Sequence, residues 1–354
     1  MRSSTSPVTE STDNDKAALG RQTRVVLAYL VCAAIWGTTW YAIRVCIAPG
    51  CYPVYPAAAI RFTVCSIILS AFWIAYRGRI EPPTRTELVF ILIGGGLSGI
   101  AYGLLYDCEQ QISGGVASVI ASLGPLVAAA IAMLTGTEKP TGRTISGALL
   151  ALAGVAIVFH DRMQVSVEEA SAIGVLLFNL FISQTSNVLM KRQAHHVAVL
   201  PVNTLFFLGS AVVLWVGAIF KGQLFLPPDI PLRATIALLY LTFFGTLITF
   251  AAWFYLLKRV RLSTATTLAF VTPIIALIVD AFYEKKVVLG AESYVGFLII
   301  LLGVAATVLF NPRLKSLTIF PARLLGCHRI WWHKGQKNLK PLGQEAYDSS
   351  RPPE

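Results

Sequence analysis

Two stretches of this chain carry the same marks in the same order, and that repetition limits its folds more than any other feature. In residues 102–162, Tyr106 leads into Leu123-Gly124-Pro125, then an acid at Glu138, then an apolar run framed by Gly147 and Gly154. In residues 250–313, Tyr255 leads into Val271-Thr272-Pro273, then Glu284, then a run framed by Gly296 and Gly303. Counted from the two prolines, the glycines fall 22 and 29 residues downstream in the first stretch and 23 and 30 in the second. Single glycines mean little in apolar helices, where they mark close contacts. The order and spacing of the whole set identify a repeat.

The repeated unit is apolar. Hydrophobic residues make up 55% of the 354 and charged residues 13%, with a mean hydropathy of +0.67, whereas soluble domains carry roughly 25% charge. Membrane spans of about 20 residues are therefore the unit of counting. Apolar runs at 25–46, 55–76, 88–107, 112–136, 143–160, 170–191, 199–220, 233–257, 262–283 and 291–310 predict ten transmembrane helices in an all-α polytopic membrane protein. Turn residues such as Ala48-Pro49-Gly50 and Pro227-Pro228 join the runs, and no connection is long enough to hold a soluble domain. The six cysteines lack metal-ligand spacing and read as small buried hydrophobes, with a disulfide among Cys46, Cys51 and Cys108 as the lesser alternative. No cofactor and no metal are expected.

The net charge of +11 is distributed as a membrane orientation signal and not as a nucleic-acid surface. With the N-terminus inside, the inner loops hold Arg77, Arg79, Arg85, Lys139, Arg143, Lys191, Arg192, Lys258, Arg259 and Arg261. The outer loops hold Arg162, Lys221, Arg233, Lys285 and Lys286. Counting both tails, 22 basic residues lie inside and five outside, which predicts cytoplasmic termini. The organisation expected is a disordered cytoplasmic tail at 1–24, a first five-helix repeat at 25–162, a second at 163–311, and a basic cytoplasmic tail at 312–354. Five is odd, so the second copy starts from the opposite side. Inverted repeats of this kind hold substrate near the midplane between the halves.

Further marks resemble the EamA-type transporters of the drug/metabolite transporter superfamily, and within it the YedA-like branch. They are Ile35-Trp36-Gly37-Thr38-Thr39-Trp40 with Ile43-Arg44, Ile60-Arg61-Phe62, Glu109-Gln110-Gln111-Ile112-Ser113-Gly114, the run from Tyr240 through Gly245, and Thr267 through Pro273. The resemblance spans about residues 25–311. It implies ten helices, two EamA repeats, and transport of small organic metabolites or drugs, commonly outward. The family's Gly-Glu mark after the fourth and ninth helices is imperfect here, reading Gly136-Thr137-Glu138 and Tyr283-Glu284.

Charges at membrane depth need a reason, since an arginine there costs about 2.5 to 3.5 kcal/mol even on lenient scales. Arg44 and Arg61 both approach the outer end, where Asp107, Glu109 and Asp280 are candidate partners. A sealing ion pair and a substrate or gating role are equally compatible with this pattern. Two stripes recur every four residues on one face of a helix: Trp36, Trp40 and Arg44 on the first, and Asn179, Ser183, Asn187 and Lys191 on the sixth. Matching Arg44 to Lys191 pairs Trp36 with Ser183 and Trp40 with Asn187, as two faces of one cavity require. The competing reading makes the amides helix glue and the tryptophans an interfacial belt. Trp36, Trp40, Arg44, Arg61, Ser183, Asn187, Tyr106 and Tyr255 are thus the candidate substrate-binding set, and Glu109 and Asp280 the candidates for coupling or gating.

The function expected is secondary transport, most simply export, by alternating access between the halves of a multi-pass protein of the bacterial inner membrane. Its partners are a small-molecule substrate and the lipid bilayer, with the proton as candidate coupling ion and a homodimer as candidate assembly. A passive facilitator is the alternative. An intramembrane serine protease is a weaker one: Gly96-Leu97-Ser98-Gly99 has the look of a nucleophile motif, but all five histidines fall in predicted loops, helix ends or the tail.

Overall fold

The glycine-framed runs of the two repeats pack directly on each other. α5 (Gly142–Phe159) lies against α12 (Ala291–Leu309) so closely that a Cβ on Gly154 would sit 2.8 Å from the Gly296 carbonyl oxygen, and one on Gly303 2.6 Å from that of Gly147. The repeat's four glycines therefore meet each other across one symmetric helix pair. With no side chain between them the backbones gain van der Waals contact that lipid cannot supply.

The computed structural model describes residues 7–76, 79–110, 121–139, 141–159, 167–283 and 291–309, and every regular element among them is helical. In order these are α1 (Pro7–Cys46), α2 (Val54–Ala75), α3 (Arg85–Cys108), α4 (Gly124–Leu134), α5, α6 (Val167–Gln193), α7 (Val199–Phe220), α8 (Leu232–Thr242), a π-helical turn (Phe243–Ile248), α9 (Thr249–Arg259), α10 (Leu262–Ala265), α11 (Leu268–Tyr283) and α12. Each expected span contains helix. Among the described residues five segments, Gly20–Cys46, Val54–Ala75, Arg85–Cys108, Val199–Phe220 and Leu232–Arg259, are long and apolar enough to cross a membrane. They all belong to one unit, Met1–Ile319; Phe320–Glu354, the bulk of the basic tail, lies outside the described residues.

Local chemistry accounts for the ends. α3 opens with a capping box in which the Thr84 hydroxyl accepts from Glu87 N–H and the Glu87 carboxylate accepts from Thr84 N–H at 2.8 Å. α4 closes on Gly136 with φ 66°: Gly136 N–H donates to Met133 O and Thr137 N–H to Ala132 O, a left-handed stop that glycine adopts without strain. The first helix is long, 40 residues. The helix begins well before the apolar run, at Pro7, a residue the first helical position accepts because its missing N–H leaves no bond unmade there. The ninth span is broken. Thr266 and Thr267 hydroxyls bond back to Leu262 O and Thr264 O between α10 and α11, offering the backbone an alternative to a continuous helix.

The packing is two-fold in pattern. α1 packs on the α8–α9 rod and on α11, α3 on α6 and α7, α2 on α7 and on the α8–α9 rod, and α4 on α6. Exchanging the halves maps this set onto itself: α1 with α11 becomes α6 with α4, and α3 with α6 becomes the α8–α9 rod with α1. At the centre, Phe62, Phe206, Phe207, Phe250 and Phe254 form one aromatic cluster, with ring centroids 5.7 Å apart for Phe62–Phe207, 5.3 Å for Phe207–Phe250 and 5.0 Å for Phe206–Phe254. Such pairs contribute about 0.5 to 1.5 kcal/mol each beyond their burial, so the cluster makes a stiff floor for what sits on it.

Candidate functional site

Helices from both halves surround a cavity of about 250 Å³. α1 contributes Trp36 and Trp40, α2 Arg61, α3 Ser98 and Tyr102, α6 Ser183, Gln184 and Asn187, α9 Trp253, and α11 Thr272. The two stripes read from the sequence thus face one space, and their last members drop out together. Neither Arg44 nor Lys191 lines the cavity. Lys191 donates instead to the carbonyls of Leu257 and Val260, the latter at 2.6 Å, at the end of α9. Part of the sixth-helix stripe does act as glue, since the Asn179 amide donates to Ala101 O.

Arg61 is 1% exposed and its partners define the site. Its Nε donates to Thr246 Oγ1 at 2.8 Å, Nη1 to the Tyr106 hydroxyl at 2.7 Å and Nη2 to Gly245 O at 3.3 Å. The guanidinium carbon lies 5.2 Å from the Phe62 ring centre and 5.1 Å from that of Tyr102, within cation–π range. Gly245 and Thr246 belong to the π turn, whose wide spacing is matched by hydroxyls reaching five residues back: Thr246 to Leu241 O at 2.9 Å and Thr249 to Phe244 O at 2.6 Å. Every one of Arg61's partners is neutral, and among the described residues no carboxylate reaches it.

The acids go elsewhere. Asp107 pairs with Lys221 at 3.0 Å and accepts from the Tyr55 hydroxyl at 3.4 Å, so its expected meeting with Arg61 does not occur. Hydrogen bonding to Asp107, then its charge, pushes the Lys221 pKa up. Glu109 is buried as the residue capping the C-terminus of α3, one turn beyond Tyr106. Asp280 falls in α11 with its side chain outside the described residues. Tyr106 does not line the cavity; it is fully buried and holds Arg61 from behind. Tyr255 is stacked under Arg259, 5.0 Å from ring centre to guanidinium carbon, away from the lining.

Sequence reasoning missed Tyr102, Gln184, Trp253 and Phe250. A signal existed for Tyr102, which precedes Tyr106 by one helical turn. None existed for Gln184, whose carbonyl accepts from Asn187 Nδ2 at 3.2 Å. Trp36 has its indole N–H buried and unbonded among the described residues, with its ring 5.8 Å from Phe250 and 5.3 Å from Trp253. Ser98 lines the cavity with no histidine among the lining residues described. Its glycine neighbours are contact points, a Cβ on Gly95 coming within 2.1 Å of Phe206 O and one on Gly99 within 2.7 Å of Ser210 O, both on α7. Cys46 and Cys51 are buried free thiols, so no disulfide joins them to each other.

Comparison with known proteins adds a family. The sequence profile of the EamA-like transporter family matches residues 23–160 and again residues 170–309. The chain is similar to the "Uncharacterized inner membrane transporter YedA" of Escherichia coli K12, 29% identical over 246 residues covering 69% of this chain and 78% of that protein. It is also similar to the "Probable terminal-alkyne amino-acid exporter" of Streptantibioticus cattleyicolor, 25% identical over 301 residues covering 82% and 94%. A solved structure described only as "Crystal structure of protein" superposes with a TM-score of 0.66 at 20% identity, covering 83% of this chain and 99% of that one. That likeness concerns the fold alone.

Proposed function

Since this chain belongs to the EamA-like transporter family, a membrane transporter of small molecules, we propose that it is a secondary exporter of small organic metabolites working by alternating access between inverted halves. The observation that carries the proposal is the cavity walled by matched faces of the two repeats, with Trp36 and Trp40 on one side and Ser183 and Asn187 on the other. A site between two symmetry-related halves is reached from either side of the membrane when one half rocks against the other. The halves are residues 25–162 and 163–311, the membrane is the bacterial inner membrane, and both termini are cytoplasmic. Glu109 and Asp280 stay the coupling residues of this scheme, with the proton as driving ion, and a homodimer its assembly.

The size of the cavity, about 250 Å³, falls below the roughly 300 to 1,000 Å³ of pockets for drug-sized ligands. Metabolites are therefore favoured over drugs. The relative described as an amino-acid exporter points the same way. Comparing metabolites secreted by a deletion strain and an overexpressing strain tests the proposal. At least one small organic compound should accumulate outside overexpressing cells and inside deletion cells. Identical metabolite profiles in both strains would end it, and passive facilitation would be favoured if release followed the concentration gradient alone.

A further inference from the structure

From the charge balance of the cavity we infer that its substrate is a small organic carboxylate with a flat apolar body, and that Arg61 is the group that selects it. The inference rests on the reading of this cavity as the substrate site.

Arg61 is the one residue carrying a permanent charge among the described lining residues; the rest are aromatic, aliphatic, hydroxyl or amide side chains. A cation in a low-dielectric site without a counter-ion leaves an unbalanced positive potential. Among the described residues that charge is met by dipoles and ring faces: the Thr246 and Tyr106 hydroxyls, the Gly245 carbonyl, and the Phe62 and Tyr102 rings. These contacts occupy three of the five guanidinium N–H groups. The remaining two belong to Nη1 and Nη2, the pair whose fork geometry matches a carboxylate.

Other features agree. The buried and unbonded Trp36 indole N–H supplies one more donor on the lining and no acceptor. Trp36, Trp40 and Trp253 give ring faces for a planar body. On α6, Ser183, Gln184 and Asn187 provide neutral hydrogen-bonding groups for a polar substituent at the other end of the solute. The same charge excludes solutes that are only cationic. An ammonium entering this space meets Arg61 at short range with no carboxylate among the described lining residues to receive it, a rejection built from repulsion. The aromatic lining by itself would have favoured organic cations; the guanidinium reverses that preference.

The test uses four compounds sharing one ring system: indole-3-acetate, tryptophan, tryptamine and 3-methylindole, each titrated against the full-length protein in detergent by scintillation proximity or by thermal stabilisation. Indole-3-acetate should bind at least about tenfold more tightly than tryptamine, the margin expected when a like-charge contact replaces an opposite one, with tryptophan nearer to the acetate and 3-methylindole weak. Benzoate and phenylacetate extend the series to smaller bodies. Tryptamine binding as well as indole-3-acetate, or no binding by any of the carboxylates, overturns the inference. Ser183→Trp, which fills the cavity from α6, separates this failure from failure of the site itself. If tryptamine binds and Ser183→Trp abolishes its binding, the cavity is the site and the selectivity assigned to Arg61 is wrong. If binding is the same with and without the tryptophan, the solute sits elsewhere and the site reading falls. Arg61 variants are secondary, because removing a residue with three internal bonds disturbs folding as well as binding.

Discussion

Glu138, just past the fourth helix of the first half, accepts a 2.7 Å hydrogen bond from the backbone N–H of Leu262, the first residue of α10 in the second half. The left-handed Gly136 turn delivers it there. Five and two residues earlier along the second half, the Leu257 and Val260 carbonyls at the end of α9 are held by Lys191 from α6. The break between α9 and α10 is thus clamped by an anion at a helix start and a cation at a helix end, each on the side its dipole favours. The inserted Thr137, which departs from the family's Gly-Glu pattern, is the residue whose N–H completes the turn at Ala132 O.

Removal of this clamp should be measurable as stability. Glu138→Ala leaves the Leu262 N–H without its acceptor and is expected to cost about 1 kcal/mol, the usual worth of a helix N-terminal cap. Glu138→Gln keeps an acceptor oxygen and should recover most of it. Thermal unfolding of the purified variants in detergent gives the comparison, and an alanine variant as stable as the parent shows that the bond carries nothing.

The hydroxyl behind Arg61 can be deleted with little change of shape. Tyr106→Phe strips one partner from a buried guanidinium and should destabilise the protein by about 1 to 3 kcal/mol, while Tyr102→Phe, whose ring contact is preserved, should cost far less. Thermal melts of both variants decide it. Equal effects would mean that the Tyr106 hydrogen bond is not what holds Arg61.

Close packing of α5 on α12 predicts an asymmetry among glycines. Gly154→Leu and Gly303→Leu place atoms inside a backbone contact and should abolish stable folding, seen as loss of monodisperse protein in detergent chromatography. Gly174→Ala, on α6 with nothing within 4 Å of the added Cβ, should instead be neutral or add about 0.5 to 1 kcal/mol through lower chain entropy. Tolerated leucines at 154 and 303 would refute the α5–α12 contact.

Orientation is open to direct measurement. Reporter fusions after residues 80, 140, 195 and 260 should report the cytoplasm, and fusions after 51, 165, 225 and 287 the outside, because basic residues collect on the inner side. Two or more sites reporting the reverse would remove the inverted relation between the halves.

Composition and periodicity were enough for the class, for helix within each apolar run and for the pairing of faces. Apolar runs, turn prolines and a thirty-residue pattern written twice are local properties, visible wherever bilayer thickness dictates element length. They were enough to bring Trp36, Trp40, Ser183 and Asn187 to one cavity, because a four-residue period stays on one helix face however the helix packs. Tertiary structure alone decided what Arg61 touches. Its bond to Thr246 joins residues 185 positions apart, and the partner is presented by a π turn that the apolar run of residues 233–257 reads straight through. It likewise sent Asp107 to Lys221, Lys191 to the end of α9 and Tyr106 behind the guanidinium, off the cavity wall. The physical reason is that charged and hydroxyl side chains settle on whichever groups the fold leaves within about 3 Å, and in a bundle those groups come from helices that are neighbours in space and strangers in sequence.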